Sequence, residues 1–131
     1  RMAGGIARLK RRSEYLHVAG ARRKWVTPGL ILQAAGSEAA QTAESGFRVG
    51  LTASRKVGTA VERNRARRRL RAAVTTVMPG RARPGHDYVV IARRATLKRP
   101  FDALVDDLAT ALDRVVVARP DRGSGSRGAS R

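Results

Sequence analysis

Residues 59–77, TAVERNRARRRLRAAVTTV, constrain the fold more than any other part of the chain. Thr59 and Glu62 stand in the capping-box pattern: the Thr hydroxyl accepts the amide three residues on, and the Glu carboxylate accepts the Thr amide. Ala66, Leu70, Ala73, Val74 and Val77 then recur at helical spacing, and Pro79-Gly80 supplies the stop. The apolar stripe is narrow and the rest of the surface is strongly polar. Such a helix gains most of its stability from laying that stripe on another apolar surface.

The flanking segments offer that surface. Residues 47–54, FRVGLTAS, alternate: Phe47, Val49, Leu51 and Ala53 face one way, Arg48, Gly50, Thr52 and Ser54 the other, as in a half-buried strand. Residues 87–92, DYVVIA, run apolar without alternation, as in a central strand covered on both faces. Strand, helix and strand in this order make a βαβ crossover possible. Upstream, Arg8 to Arg12 form a basic lead-in. Ser13 is placed to cap a short helix with Glu14 in its first turn, Tyr15, Leu16, Val18 and Ala19 on one side, and Gly20 at its end. Residues 22–35 read as extended, interrupted by a Pro28-Gly29 turn. Residues 36–46, small and polar, read as a loop, and 81–85 as a second, basic loop. Pro100 opens a last helix whose stripe is Phe101, Leu104, Val105, Leu108, Leu112 and Val115. Asp102, Asp106, Asp107 and Asp113 lie off that stripe, on an outer face expected to stay away from phosphate. The class implied is α+β, a small α-β sandwich in the order helix, strands, helix, strand, helix. One domain is expected over 1–119, followed by a disordered Gly/Ser/Arg tail over 120–131.

Composition narrows the chemistry. The chain has 131 residues, with 28 Lys+Arg against 10 Asp+Glu and a net charge of +18, which makes a polyanion the first partner to consider. There is no cysteine, hence no disulfide, thiolate metal site or cysteine nucleophile. The two histidines, His17 and His86, are far apart in sequence and read as surface or structural residues. Asp106 and Asp107 are adjacent on a helix, so they point apart and do not suggest a shared metal. No apolar run is long enough for a transmembrane helix, and residues 1–12 lack the apolar core of a signal peptide. A soluble cytoplasmic protein with no membrane partner and no small-molecule substrate is expected.

The charge is concentrated. Arg55, Lys56, Arg63, Arg65, Arg67, Arg68, Arg69 and Arg71 fall in one 18-residue stretch whose single acid is Glu62. On the helix, Asn64, Arg68 and Arg71 project opposite the apolar stripe, Arg65 and Arg69 on one flank, Arg63 and Arg67 on the other. A solvated basic face is the ordinary explanation for a charged helix. Six arginines in nine residues argue against it, since crowded guanidinium groups repel unless screened or paired with phosphate. Guanidinium also clamps phosphate bidentately and stacks on bases, and Asn64 adds an amide that both donates and accepts.

These residues carry a resemblance. Ser54-Arg55-Lys56, Gly58, Ala60-Val61, Arg63-Asn64-Arg65, Arg67-Arg68 and Arg71 resemble the RNR motif of the bacterial ribonuclease P protein subunit. Arg48-Val49-Gly50-Leu51-Thr52 resembles the strand before that motif, residues 8–15 the N-terminal lead-in, and residues 86–93 the last strand. The resemblance implies an α-β sandwich with a left-handed crossover, against the usual rule. It implies a subunit that binds a catalytic RNA and the 5′ leader of precursor tRNA, and assists hydrolytic removal of that leader. It places the chemistry, with Mg2+, on the RNA; no catalytic residue and no metal ligand is expected on the protein. Arg63, Asn64, Arg65, Arg67, Arg68 and Arg71 are implied to face RNA, with Arg55 and Lys56 beside them. A leader cleft is implied around Tyr15, with Ile31, Gln33, Thr52 and Ser54 as floor residues, an assignment that depends on strand register. A half-buried core tyrosine is the alternative for Tyr15. Ala19 stands where the family often has a second aromatic. A non-enzymatic RNA-binding protein of ribosomal type is the rival reading; a stand-alone nuclease is disfavoured by the missing acid and histidine constellation.

Overall fold

The computed structural model describes residues 5–115. The tail expected over 120–131 and the domain boundary at 119 lie outside the described residues. The elements run β1 (Ala7–Arg8), α1 (Arg12–Gly20), β2 (Arg23–Val26), β3 (Leu30–Gly36), α2 (Glu38–Thr42), β4 (Phe47–Thr52), α3 (Ala60–Val77), β5 (His86–Ala92) and α4 (Phe101–Val115). The strands form one sheet in the order β1-β4-β5-β3-β2. β4 and β5 are parallel neighbours joined through α3, so the expected βαβ crossover is present. β1 also pairs parallel to β4, whereas β3 pairs antiparallel to β5 and β2 to β3.

Strand alternation sorts the side chains as the sequence suggests. Phe47 and Val49 of β4, Tyr88 and Val90 of β5, and Leu30, Leu32 and Ala34 of β3 are buried on one face. The stripe of α3 (Ala66, Leu70, Ala73, Val74 and Val77) and Leu104, Leu108, Leu112 and Val115 of α4 complete that core. The opposite face is covered in part by α1, where Leu9 and Val18 pack with Ala35 and Val89, and Tyr15 lies at the margin. β5 is therefore sandwiched, which explains its unbroken apolar run.

Four expectations need correction. The lead-in starts inside β1, which is flanked by buried Ile6 and Leu9; a two-residue edge strand is too short to show alternation. The loop read over 36–46 contains α2, capped by Ser37 and holding Ala40 in the interior; one helical turn carries no periodicity. Ser13 sits inside α1 rather than at its cap. The helix start is satisfied instead by Glu14, whose Oε1 accepts the N–H of Lys10 (2.7 Å) and of Arg11 (2.9 Å). Finally, Asp107 does not lie on an exposed face. It is buried, accepts the Gly29 N–H at 3.0 Å and pairs with Arg99 at 2.6 Å, because the β2–β3 turn folds onto α4.

Glu14 also ties α1 to the sheet. Its Oε2 lies 2.8 Å from Nη1 of Arg48, and Arg48 meets Asp87 in a two-point contact of 2.8 and 2.7 Å. The N–H groups of Arg11 and Lys10, and then Arg48, hold the Glu14 carboxyl at about 2, below its ordinary 4.5. A carboxyl with a depressed folded-state value stabilises the fold above its ordinary value and stops doing so as pH falls through the folded one. Denaturant midpoints are thus expected to drop as pH falls from about 4.5 toward 2. Glu14→Gln should flatten that part of the profile; an unchanged profile in the variant would contradict the assignment.

Candidate nucleic-acid interface

α3 begins as its sequence demands. The Thr59 hydroxyl accepts the Glu62 N–H at 3.2 Å, and the Glu62 carboxylate accepts the Thr59 N–H at 2.8 Å. Gly58 makes the preceding turn at φ 150°, where a Cβ would run into Glu62. Before it, Arg55–Val57 form a short 3-10 helix capped by the Ser54 hydroxyl, which accepts the Lys56 N–H at 3.3 Å. Arg55 and Lys56 are thereby presented outward beside the first turn of α3.

The arginines of α3 divide into two kinds. Arg65, Arg68 and Arg71 are exposed, as is Asn64. Arg68 and Arg71 make no hydrogen bond or ion pair among the described residues. Arg63 and Arg67 are partly buried along the helix: Arg63 donates to the Gly58 carbonyl at 2.9 Å, and Arg67 to Asn64 Oδ1 at 2.7 Å. With its oxygen so engaged, the Asn64 amide is left to donate outward. Arg69 belongs to the fold. It donates to the carbonyls of Thr96 (2.9 Å) and Arg99, fastening α3 to the segment after β5. Glu62 is held below the usual carboxylate range, chiefly by the Thr59 N–H, with Arg94 and Arg65 adding to the effect.

Arg94 is a residue that the sequence reading missed. Arg94 opens a short 3-10 helix, Arg94–Leu97, and its charge reaches the start of α3. Because β4 and β5 are parallel, both chain exits lie at the same end of the sheet. The Arg93-Arg94 pair after the last strand was the available signal. Arg93 itself is committed to the fold, donating to the Thr27 carbonyl at 2.6 Å.

The sheet face opposite the core gathers most of the proposed cleft residues. Register places Thr52, Ile91, Ile31 and Val26 in one transverse row, and Gly50, Val89, Gln33 and Lys24 in the next. Tyr15 reaches down from α1 onto the second row, over Gly50. Tyr15, Ile31, Gln33 and Thr52 are half-buried and share this face. Ser54 does not: β4 ends at Thr52, and the Ser54 hydroxyl is used as a cap. Ala19 is exposed on α1, and Trp25 packs against the main core with Arg114 over its ring.

The fold brings His17 and His86 to one open groove of about 650 Å³ beside α1. His17 Nε2 lies 3.0 Å from the Gly36 carbonyl and His86 Nδ1 3.1 Å from that of Pro84, so both rings have structural partners. Among the described residues, no group of three or more His, Cys, Asp or Glu could hold a metal ion, and no helix is long and apolar enough to cross a membrane.

Comparison with known proteins adds to this geometry. A family model described as Ribonuclease P matches residues 5–116. The ribonuclease P protein component of Paramagnetospirillum magneticum is 54% identical over 114 residues, covering 87% of this chain and 86% of that protein. The one from Ruegeria pomeroyi is 46% identical over 119 residues, covering 90% and 93%. Among solved structures, the RNase P protein of Thermotoga maritima superposes with a TM-score of 0.68 at 22% identity, covering 82% of this chain and 96% of that one. The Staphylococcus aureus protein gives 0.67 at 20%, covering 84% and 97%. At these identities the structural likeness speaks for the fold.

Proposed function

The chain belongs to the ribonuclease P protein family, and on that premise we propose that it binds a catalytic RNA and the 5′ leader of precursor tRNA, assisting removal of the leader. The observation that carries this reading is the exposed basic face: Arg55 and Lys56 just before α3 and Arg65, Arg68 and Arg71 along it, with Arg94 near its start. Burying none of these charges against protein leaves them available to replace the counterions of an RNA backbone. Arg63, Arg67 and Asn64 border the same face. Arg63 and Arg67 are pre-oriented by their bonds to the Gly58 carbonyl and to Asn64, which lowers the entropy lost on meeting phosphate.

In this reading the leader lies across the sheet rows beneath α1. The Tyr15 ring offers a sequence-tolerant stacking surface, and Ile31, Gln33 and Thr52 the floor. Cleavage of the phosphodiester bond is assigned to the RNA partner with its Mg2+. Four of the described carboxylates are already engaged within the protein: Glu62 caps α3, Glu14 and Asp87 meet Arg48, and Asp107 meets Arg99. The chain's contribution is to hold RNA and substrate near each other and to screen their mutual repulsion. A cytoplasmic location accords with this role.

The test is reconstitution. Added to its cognate RNA at low Mg2+, the purified chain should raise cleavage of a precursor tRNA at the leader junction, while the chain without RNA should release no leader. Absence of stimulation, or cleavage by RNA-free protein, would overturn the reading.

A further inference from the structure

The backbone of β4 at Gly50 is buried directly beneath the aromatic ring of α1. A Cβ placed on Gly50 would lie 2.5 Å from Tyr15 Cε2, 2.6 Å from Cζ and 2.7 Å from the hydroxyl oxygen. Any side chain there would therefore displace the ring. The helix cannot simply rise to make room. Glu14, the preceding residue, is held by the N–H groups of Lys10 and Arg11 and by Arg48, which is itself locked to Asp87. With the main chain anchored one residue away, the strain falls on the Tyr15 side-chain torsions, and the ring swings away from the sheet. The hydroxyl makes no hydrogen bond among the described residues, so nothing at that end opposes the swing.

We propose that Gly50 is a positioning residue for leader binding: with the Glu14–Arg48–Asp87 clamp, its missing side chain seats the Tyr15 ring low against the sheet. A base of single-stranded RNA can then stack on the ring while its neighbours continue over the Gln33 and Thr52 rows. The inference rests on the reading of this face as the leader cleft. The need for glycine here is one of space, since the position lies inside a regular strand and not at a turn.

The test uses the holoenzyme reconstituted with its RNA, and two precursor tRNAs, one with a leader long enough to cross the sheet and one with a single-nucleotide leader. The readout is the ratio of their affinities. For Gly50→Ala the ratio should fall roughly ten-fold, about the size of one lost base–aromatic stack, with a smaller fall for Glu14→Gln. Because Gly50 acts through Tyr15, adding Gly50→Ala to Tyr15→Ala should change the ratio no further. Assembly with the catalytic RNA, which runs through α3, reports that each variant is folded. An unchanged ratio in Gly50→Ala, its full effect persisting in the Tyr15→Ala background, or an equal loss for both precursors would each overturn the proposal. A wild-type holoenzyme indifferent to leader length would remove the cleft reading itself, and the proposal with it.

Discussion

Replacing Arg65, Arg68 and Arg71 together with alanine is expected to weaken binding of the catalytic RNA by roughly a hundred-fold or more at physiological salt. The three side chains are exposed on one long helix, and the one acid near them, Glu62, is engaged in the helix cap. If each meets a phosphate, the slope of log affinity against log salt should become shallower by about 3. Arg69→Ala makes the sharp comparison. It removes the same charge from the same helix, but Arg69 donates to the Thr96 and Arg99 carbonyls. Its loss should lower the melting temperature and leave the salt slope nearly unchanged. Filter-binding titrations across a salt series, with melting curves of the free proteins, separate the two. A triple variant with the wild-type slope, or an Arg69 variant that matches it in slope, would mean that the wrong face has been assigned.

Asp107→Ala should cost about 2–4 kcal/mol of stability, lowering the melting temperature by roughly 10–20 °C. The carboxylate is buried and holds the Gly29 N–H at 3.0 Å and Arg99 at 2.6 Å. Its removal leaves a buried amide and a partly buried guanidinium without their partner. Gly29 packs close against α4: a Cβ there would lie 2.7 Å from Leu104 Cδ2. Asp106→Ala, one residue away and exposed, should stay within about 0.5 kcal/mol of wild type. Denaturant unfolding of both variants checks this directly. Equal losses would contradict the contact pattern.

The two predictions mark where sequence reading succeeds and where it stops. The α3 stripe, its cap and its end were legible because each is local: spacing, a Thr–Glu pair and Pro-Gly. The same holds for the alternation of β4 and the unbroken run of β5. β1 and α2 were not legible, since two residues or one turn are too short for any period to register. Among the arginines, residue type and spacing could not distinguish Arg69 from Arg68. The difference is a pair of carbonyls about 27 to 30 residues away in the chain. Asp107 was misplaced for the same reason: the helical pattern of α4 says nothing about the β2–β3 turn that meets it from 78 residues away. Of the expected cleft residues, Tyr15, Ile31, Gln33 and Thr52 do share a face, while Ser54 falls past the end of its strand.

By itself, then, the sequence determined that a +18 chain concentrates its charge on one capped amphipathic helix between two strands, and which family that pattern resembles. Those are properties of neighbours along the chain, governed by helix and strand periods and by side-chain charge. Only the tertiary structure decided which cations remain unpaired, that Arg94 joins them at the shared C-terminal end of two parallel strands, and that Tyr15 comes down on Gly50. Each of these depends on a contact between residues distant in sequence, and such contacts are set by packing of whole elements rather than by any local pattern.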